Sequence, residues 1–356
     1  MAYTGQEQRA YVALQKGRGI GVIDTELLEQ VDLVPETPAI DGLPFEDGEP
    51  SQMVWCCPER YRDERLYVSD RRSGRIAVYQ ISPRSETFHQ RLAWINVDPA
   101  PVGLGEMAVN GPRNRLYVVA PGGAGAKGGR TPGHILVIDI NPDSPTYHQQ
   151  IGRIAVDGNP IAIDAWVYSA GPTVFTTQTV DGAAIGVIQD DGGALEWKVS
   201  YMKFGQLLGV NEGRVLEGTS VKVVPVKTGQ EQIKSYVVVA YATASPAPMG
   251  GVGVIEDPTG PNHRFVEITK VTQGSYPLLA SDRFDEIYTL DQQNRTVGRL
   301  NRDEMVGAMR SAFQPPLGSM PLQERNPKIF SYSFDAGGVP HGVATAGALK
   351  IQLWVQ

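Results

Sequence analysis

The chain of 356 residues lacks the features that mark disulfide-rich, membrane-embedded and nucleic-acid-binding proteins. Its only two cysteines, Cys56 and Cys57, are neighbours, so they cannot join distant segments in a disulfide framework. No stretch approaches the roughly 18 consecutive apolar residues of a transmembrane helix, which excludes a membrane-spanning helix. We therefore expect no membrane partner. The net charge is -7 and basic residues do not cluster, so no cationic stripe is present to bind nucleic acid.

A secretory signal is also missing from the N-terminal sequence. The stretch MAYTGQEQRAYVALQKG has no basic segment followed by an apolar core. We therefore expect a cytoplasmic protein, with a mature secreted form as the alternative. What the chain has in abundance is turn-forming residues, because 40 glycines and 26 prolines stand against 9 phenylalanines. We expect one all-β domain over residues 1–356, in a monomer.

One phrase recurs along the sequence: a segment like RLYV, a turn, and a segment like GVID. Apolar and polar residues alternate over about five positions in each arm, with β-branched and aromatic residues enriched, and the turn between the arms predicts an antiparallel hairpin. The copies are Arg9–Thr25, Arg65–Ile81, Arg115–Ile140, Thr173–Asp190, Ser235–Asp257, Glu286–Arg302 and the C-terminal Pro340–Gln356. A further strand follows a hairpin, as in RLAWINV, and another precedes the next, as in NPIAIDAWV. Four strands per unit, recurring at about 50 residues, predict the blades of a β-propeller.

The phrases RLYV and GVIDT resemble the YVTN repeats of lactonase-like and quinoprotein-type propellers, and this resemblance covers nearly the whole chain. It implies four-stranded antiparallel blades, seven in number or alternatively six. It implies no single function, because such propellers include lactonases, lyases, oxidoreductases and proteins without catalysis. One interruption, NRDEMVGAMRSAF from Asn301 to Phe313, has helical spacing and predicts a short helical insertion within about residues 301–327.

The long connections of the chain all map to one side of such a fold. That side, which we call the upper face, contains the connections that enter each first strand and the turns between second and third strands. Binding residues usually lie on long loops over a rigid scaffold. The long connections are Pro35–Met53, Ala120–Gly133, Lys203–Ser220, Thr243–Gly250 and Gln314–Val339.

The glycine-rich stretch APGGAGAKGGRTPGHILVIDI, Ala120–Ile140, carries three candidate substrate-binding residues. It is not a phosphate-binding P-loop, since Lys127 is followed by glycine and a strand, not by Ser/Thr and a helix. We expect a flap that brings Lys127, Arg130 and His134 over the upper face. A solvated turn without function is the alternative.

The candidate catalytic residues lie at the start of two predicted first strands. Aligning GEMAV with HGVAT places Glu106 level with Gly342 and His341 one step above it. A carboxylate near an imidazole supports proton transfer, because histidine titrates near neutral pH. Glu49 and Gln52 occupy the comparable entrance of the preceding unit and are further substrate-binding candidates. Polar residues of a wet channel are the alternative interpretation.

We expect no cofactor and no metal, although a divalent metal is an alternative. The stretch GEPSQMVWCCPERYRDERLYVSD, residues 48–70, resembles the opening glutamate segment of the metal-binding gluconolactonase and regucalcin propellers. The later asparagine and aspartate ligands of that family have no match here. Cys56 and Cys57 are expected to be buried, inert thiols, because neighbours on a strand point to opposite faces. We expect His89, His148 and His263 at the surface, and one tryptophan per blade in inter-blade packing.

Two function classes follow. The first is a small-molecule enzyme of the lactonase, lyase or isomerase kind, whose upper face binds a polar organic substrate. His341 would act as acid or base, Glu106 would orient it, and Lys127 or Arg130 would hold a carboxylate. The second is a propeller scaffold that binds a protein or carbohydrate through the same loops. A metal-dependent hydrolase of gluconolactonase type is a third possibility.

Overall fold

The computed structural model describes most of the chain in separate stretches. These are residues 2–4, 9–14, 19–24, 27, 29–38, 41–46, 48–56, 64–97, 103–122, 132–165, 171–179, 182–190, 196–209, 215–228, 232–243, 250–260, 263–268, 277–281, 286–291, 296–301, 332–333, 340–346 and 350–355. The chain divides into two compact units: residues 1–170 with 190–197, and residues 171–189 with 198–356. The single domain expected from the sequence remains a prediction.

The first unit contains the first fourteen strands. They are β1 (Ala2–Thr4), β2 (Arg9–Leu14), β3 (Gly19–Asp24), β4 (Glu29–Val31), β5 (Leu43–Pro44), β6 (Pro50–Cys56), β7 (Arg65–Asp70), β8 (Arg75–Gln80), β9 (Arg91–Asn96), β10 (Met107–Asn110), β11 (Arg115–Ala120), β12 (His134–Asp139), β13 (Gln150–Ala155) and β14 (Asn159–Ala165). Strands β6–β9 and β10–β13 each form a four-stranded sheet in chain order. The N-terminal sheet has the order β1-β2-β3-β4, with β5 added beside β4 on the edge of β3.

The remaining strands, which lie wholly or mostly in the second unit, are β15 (Thr173–Thr179), β16 (Gly182–Asp190), β17 (Trp197–Lys203), β18 (Val215–Thr228), β19 (Gln232–Thr243), β20 (Gly250–Glu256), β21 (Arg264–Ile268), β22 (Pro277–Ser281), β23 (Glu286–Asp291), β24 (Thr296–Asn301), β25 (Tyr332–Ser333), β26 (Pro340–Ala346) and β27 (Lys350–Val355). Sheets β14–β17, β18–β21 and β22–β25 are four-stranded in chain order, and β26 pairs with β27. The described part of the chain has one helix, α1 (Phe204–Leu208).

The predicted hairpins are confirmed. RLYV and GVID-like arms pair in antiparallel register, as Tyr67 with Val78 and Tyr117 with Val137 show. The sequence predicts apolar and polar residues in alternation, but the middle strands β7, β8, β11 and β12 are buried on both faces. They are covered on both sides because consecutive sheets pack face to face. Strands such as β2, β6 and β9 keep partly exposed residues.

The core therefore lies between the sheets. In the first unit, one cluster joins the first and second sheets through residues such as Tyr11, Leu66 and Tyr79. Another joins the second and third sheets through Tyr67, Ile76 and Leu116. In the second unit, Val238, Val254 and Ile287 belong to a cluster that spans β19 to β23. Each sheet is thus stabilised by its neighbours, as the repeat predicts.

Two of the long connections are partly regular structure. Within Pro35–Met53, β5 extends the edge of the N-terminal sheet, and Leu43 and Phe45 are buried core residues. Within Lys203–Ser220, α1 buries Phe204 and the start of β18 follows. The helix predicted from Asn301 to Phe313 lies outside the described residues beyond Asn301, which ends β24.

Candidate functional site

The upper face of the first unit begins where β7 turns into β8. The carboxylate of Asp70 accepts hydrogen bonds from the amides of Glu49 (3.0 Å) and Arg72 (2.9 Å) and from the Ser73 hydroxyl. The Glu49 carbonyl in turn accepts the Arg71 amide at 2.9 Å. The connection that enters β6 is therefore joined to the turn between β7 and β8, as the upper face requires.

Asp70 is an ionised organiser of this turn. Its side chain is fully buried, and Arg75 lies 3.5 Å from its Oδ2. Burial opposes ionisation, but the hydrogen bonds from Ser73, Glu49 and Arg72 outweigh it, so the pKa of Asp70 lies below its ordinary value. The Asp70 carboxylate therefore stabilises the turn, because the donors that surround it belong to the protein itself.

Turns between second and third strands also lie close to the connection that enters the next sheet. A Cβ on Gly103, before β10, would lie 3.0 Å from the Arg71 carbonyl. In the glycine-rich turn, the Gly122 amide donates to Oδ1 of Asn159 at 2.7 Å, and the Gly133 amide donates to the Gly158 carbonyl at 2.9 Å. Both ends of that turn are thus fixed to the entrance of β14.

Gly133 must be glycine at this junction. A Cβ there would lie 2.7 Å from the Ala120 carbonyl and closer still to Cδ of Pro160. Neither a backbone carbonyl nor a proline ring can move aside easily. The glycine therefore permits the close approach of the turn to β14.

Glu106 stands on the same face and contacts the next sheet. Its Oε2 accepts the Ile163 amide of β14 at 3.1 Å, and its carbonyl accepts the Val119 amide at 2.9 Å. The side chain is half-buried. A carboxylate held at one oxygen by a backbone amide has a defined orientation, which a proton-transfer group needs.

His134 begins β12, directly after the glycine-rich turn. Its Nδ1 lies 3.0 Å from Nη2 of Arg153 on the neighbouring strand β13. Since a guanidinium can only donate, Nδ1 is the acceptor and Nε2 carries the hydrogen. Burial, and then the charge of Arg153, lower the pKa of His134, so the ring is neutral at pH 7. The pair offers an N–H donor and an exposed cation side by side.

The other predicted binding residues are placed as follows. Glu49 is half-buried beside the Asp70 turn, and Gln52 is exposed at a bulge of β6, where its amide donates to the Ser69 hydroxyl at 3.0 Å. Lys127 and Arg130 lie outside the described residues. His341 is in β26 of the second unit, at a register shift between Pro340 and Gly342. The roles predicted for all of these residues remain predictions.

Sequence reasoning missed several members of this face. Asp70 and Asn159 fix the connections, and the exposed side chains of Arg71 and Arg72 stand on the turn between β7 and β8. An aspartate at the end of a strand, before RRSG, is a turn signal that could have been found. No local sequence pattern indicated the role of Asn159, because its partner Gly122 is distant in sequence.

The described residues contain no group of three or more histidine, cysteine, aspartate or glutamate side chains that could hold a metal ion. Glu49 donates its backbone amide to the Asp70 carboxylate, which also accepts hydrogen bonds from Arg72 and Ser73. The divalent metal therefore stays an alternative that the sequence suggests.

Cys56 is buried as expected, but it is disulfide-bonded and so is not an inert thiol. Cys57 lies outside the described residues. Inter-blade packing by tryptophan is seen for Trp197, whose ring covers Gly152 of the preceding sheet so closely that a Cβ has no room.

Neither a protein-family model nor a curated relative matches the chain. Several solved protein structures are similar to it. Hydrazine synthase of Kuenenia stuttgartiensis is 16% identical with a TM-score of 0.57, over 91% of this chain and 79% of that one. Virginiamycin B lyase from Staphylococcus aureus is 14% identical with a TM-score of 0.56, over 99% of this chain and 90% of that one. The fold is that of a β-propeller.

A third similar structure is the complex of KlAtg21 with the coiled coil of AgAtg16, at 14% identity and a TM-score of 0.52, over 94% of this chain and 84% of that one. Identities this low carry the fold and not the activity. The resemblance to lactonase-like propellers therefore holds at the level of the fold. In the described part of the propeller, no helix has the length and apolar character needed to cross a membrane.

Proposed function

We propose that this propeller is a small-molecule enzyme of the lyase or lactonase kind, which binds a polar organic substrate with a carboxylate on the upper face of the first unit. The observation that supports this most is the His134–Arg153 pair at the base of the glycine-rich turn, at 3.0 Å. A neutral imidazole N–H and a guanidinium together match the two oxygens of a carboxylate. Lys127 and Arg130, close by in sequence, would add positive charge.

One carboxylate on the same face, that of Glu106, supports a role in proton transfer. Glu106 is oriented by the Ile163 amide and is half-buried, which suits a group that accepts a proton from the substrate. In a lyase step Glu106 would take a proton from a substrate carbon, the electron pair of that C–H bond would form the new double bond, and the leaving group would depart with the electron pair of its bond to the neighbouring carbon. His341 stays the sequence-predicted acid or base, tested by its own variant.

A turnover assay with a panel of lactones tests the proposal, with virginiamycin B included because one neighbour is named for acting on it. We expect His341→Ala and Glu106→Gln to abolish turnover while the melting transition stays almost unchanged. Arg153→Ala should raise KM by about 10- to 100-fold, the effect of losing one charged hydrogen bond. Arg84→Ala is the matched control, because Arg84 is exposed on the turn between β8 and β9, at the opposite end of its sheet.

The outcomes separate the alternatives. Full turnover in His341→Ala would dispose of that assignment, and an unchanged KM in Arg153→Ala would remove the carboxylate site. The scaffold alternative, favoured by the coiled-coil complex among the neighbours, predicts no turnover on any probe and a stoichiometric macromolecular partner.

A further inference from the structure

Two turns of the first unit are built alike, and neither belongs to the upper face. Ser85–Gln90 connects β8 to β9, and Ser144–Gln149 connects β12 to β13. Both read Ser-x-Thr-aromatic-His-Gln. The His89 amide donates to the Gln80 carbonyl at 2.8 Å, and the His148 amide donates to the Asp139 carbonyl at 2.8 Å. The same conformation therefore occurs twice, one sheet apart.

The histidine in each turn has a left-handed backbone. The φ angles are 63° for His89 and 60° for His148, a region that glycine or asparagine adopts more easily. Each ring stacks on the preceding aromatic ring, Phe88 or Tyr147, with centroids 3.7 Å apart. Histidine adopts this unfavourable backbone conformation in both turns, and its ring is held in place in both. This indicates that the imidazole ring has a function at these positions.

That use is a contact with the preceding sheet. Nε2 of His89 lies 3.0 Å from the Tyr11 hydroxyl, and Nε2 of His148 lies 3.2 Å from the Tyr67 hydroxyl. In both pairs the rings meet edge to face at 85°. The expectation that these two histidines are surface residues is wrong, because both are half-buried. His263, by contrast, is exposed as expected.

Positive charge faces His89. Arg9, on the same strand as Tyr11, lies near the ring and pairs with Asp24 at 2.9 Å. Burial, and then Arg9, lower the pKa of His89 to about 4. At neutral pH the imidazole is therefore uncharged, and its Nε2 shares a hydrogen bond with the Tyr11 hydroxyl.

His148 has a mixed environment with the same result. Arg65 faces it from β7, and Asp139, which Arg115 contacts at 3.3 Å, faces it from β12. Burial and Arg65 lower the pKa of His148 to about 4, although Asp139 acts in the opposite direction. Burial also raises the pKa of Tyr67, so the phenol stays protonated.

We propose that the pairs Tyr11–His89 and Tyr67–His148 are acid-sensitive clasps, which hold three consecutive sheets of the first unit together at neutral pH and release them in acid. At the next sheet boundary the same tyrosine position, Tyr117, donates to Oδ2 of Asp190 at 2.5 Å instead. That contact has no imidazole, so the acid sensitivity belongs to the first two boundaries.

The direction of the pH effect follows from linkage. The unfolded chain binds a proton on each histidine near pH 6.5, whereas the folded chain does so only near pH 4. The clasps are therefore fully stabilising above about pH 6.5 and lose their contribution as the pH falls toward 4.

Urea unfolding between pH 4.5 and 7.5 tests the clasps in the full-length protein, since the slope of unfolding free energy against pH gives the protons taken up on unfolding. The variants are His89→Gln, His148→Gln and their combination, because glutamine keeps a polar tip without titrating. Near pH 5 each single variant should take up about one proton fewer than the wild type, and the double variant about two fewer. His263→Gln, which replaces an exposed histidine, is the matched control for the substitution itself.

Equal proton uptake in the wild type and the double variant would overturn the proposal. If the variants do not fold, nuclear magnetic resonance titration of the wild type decides it. The ring signals assigned to His89 and His148 should remain in the neutral form down to about pH 5, and Tyr11→Phe or Tyr67→Phe should move the signal of its partner toward the ordinary range. Titration of both assigned signals near pH 6.5 would contradict the clasps.

Discussion

At the residue scale, charged groups of the upper face have two different roles: one stabilises the fold and the other is available to a ligand. Asp70 is buried and surrounded by protein donors, so its charge is used inside the fold. Arg153 is exposed and shares only one described hydrogen bond, with His134, so its charge is available to a ligand. Burial and partners, not residue type, separate the structural acid from the candidate binding cation.

Asp70→Asn should therefore damage stability. The amide would place an NH2 group against donors, so we expect a loss of about 2–4 kcal/mol in the free energy of unfolding at pH 7. Because the folded pKa of Asp70 is lowered, this contribution exists above the ordinary carboxyl pKa of about 4 and disappears as the pH falls through the folded value. The deficit measured by urea unfolding should thus shrink in strong acid.

Asp143→Asn is the control for that measurement, because Asp143 is exposed on the turn after β12. It should change the free energy of unfolding by less than about 0.5 kcal/mol. An Asp70→Asn protein as stable as this control would show that the carboxylate does not organise the turn.

At the scale of elements, hairpins were predictable and their junctions were not. The two arms of a hairpin are near in sequence, so the RLYV and GVID patterns carry their pairing, as β7 with β8 shows. The Tyr11–His89 contact joins residues 78 positions apart, and no local pattern marks it. The glycine-rich turn was predicted correctly as a hairpin turn, but its attachment to Asn159 depends on the packing of two sheets.

Gly133→Ala tests that attachment. A methyl group would meet the Ala120 carbonyl and the Pro160 ring, and relief requires moving the turn away from β14. We expect a loss of about 1–3 kcal/mol in the free energy of unfolding, with faster hydrogen exchange at the Gly133 amide.

Gly21→Ala is the matched control for this substitution. Like Gly133→Ala, it adds one methyl group at a buried position, here within β3. The added Cβ would lie 3.7 Å from its nearest neighbour, Cδ1 of Leu14, which is an ordinary contact. Its stability should equal or slightly exceed that of the wild type. Equal stability of Gly133→Ala and Gly21→Ala would argue against the close junction.

At the scale of the whole molecule, composition and repeats predicted the all-β propeller class, because blades are local units that recur. The candidate site was only partly accessible from sequence. Glu106 could be found by aligning first strands, whereas Arg153 has no distinguishing context in IGRIAV and gains a role only beside His134. A site assembled from several sheets needs the fold before its members can be recognised.

The disulfide at Cys56 makes a prediction about the whole chain. Since the sequence has two cysteines, the partner is Cys57 of the same chain or a cysteine of a second copy. Cys56 is fully buried among β7 and β8 core residues, which favours the first.

Thiol titration in denaturant checks this on protein prepared without reductant. We expect no free thiol before reduction and two afterward, with one band at the size of the single chain on a non-reducing gel. A band at twice that size would assign the bond to two copies, while two free thiols before reduction would contradict the disulfide. The last result would return the cysteines to the buried, inert pair that the sequence alone predicts.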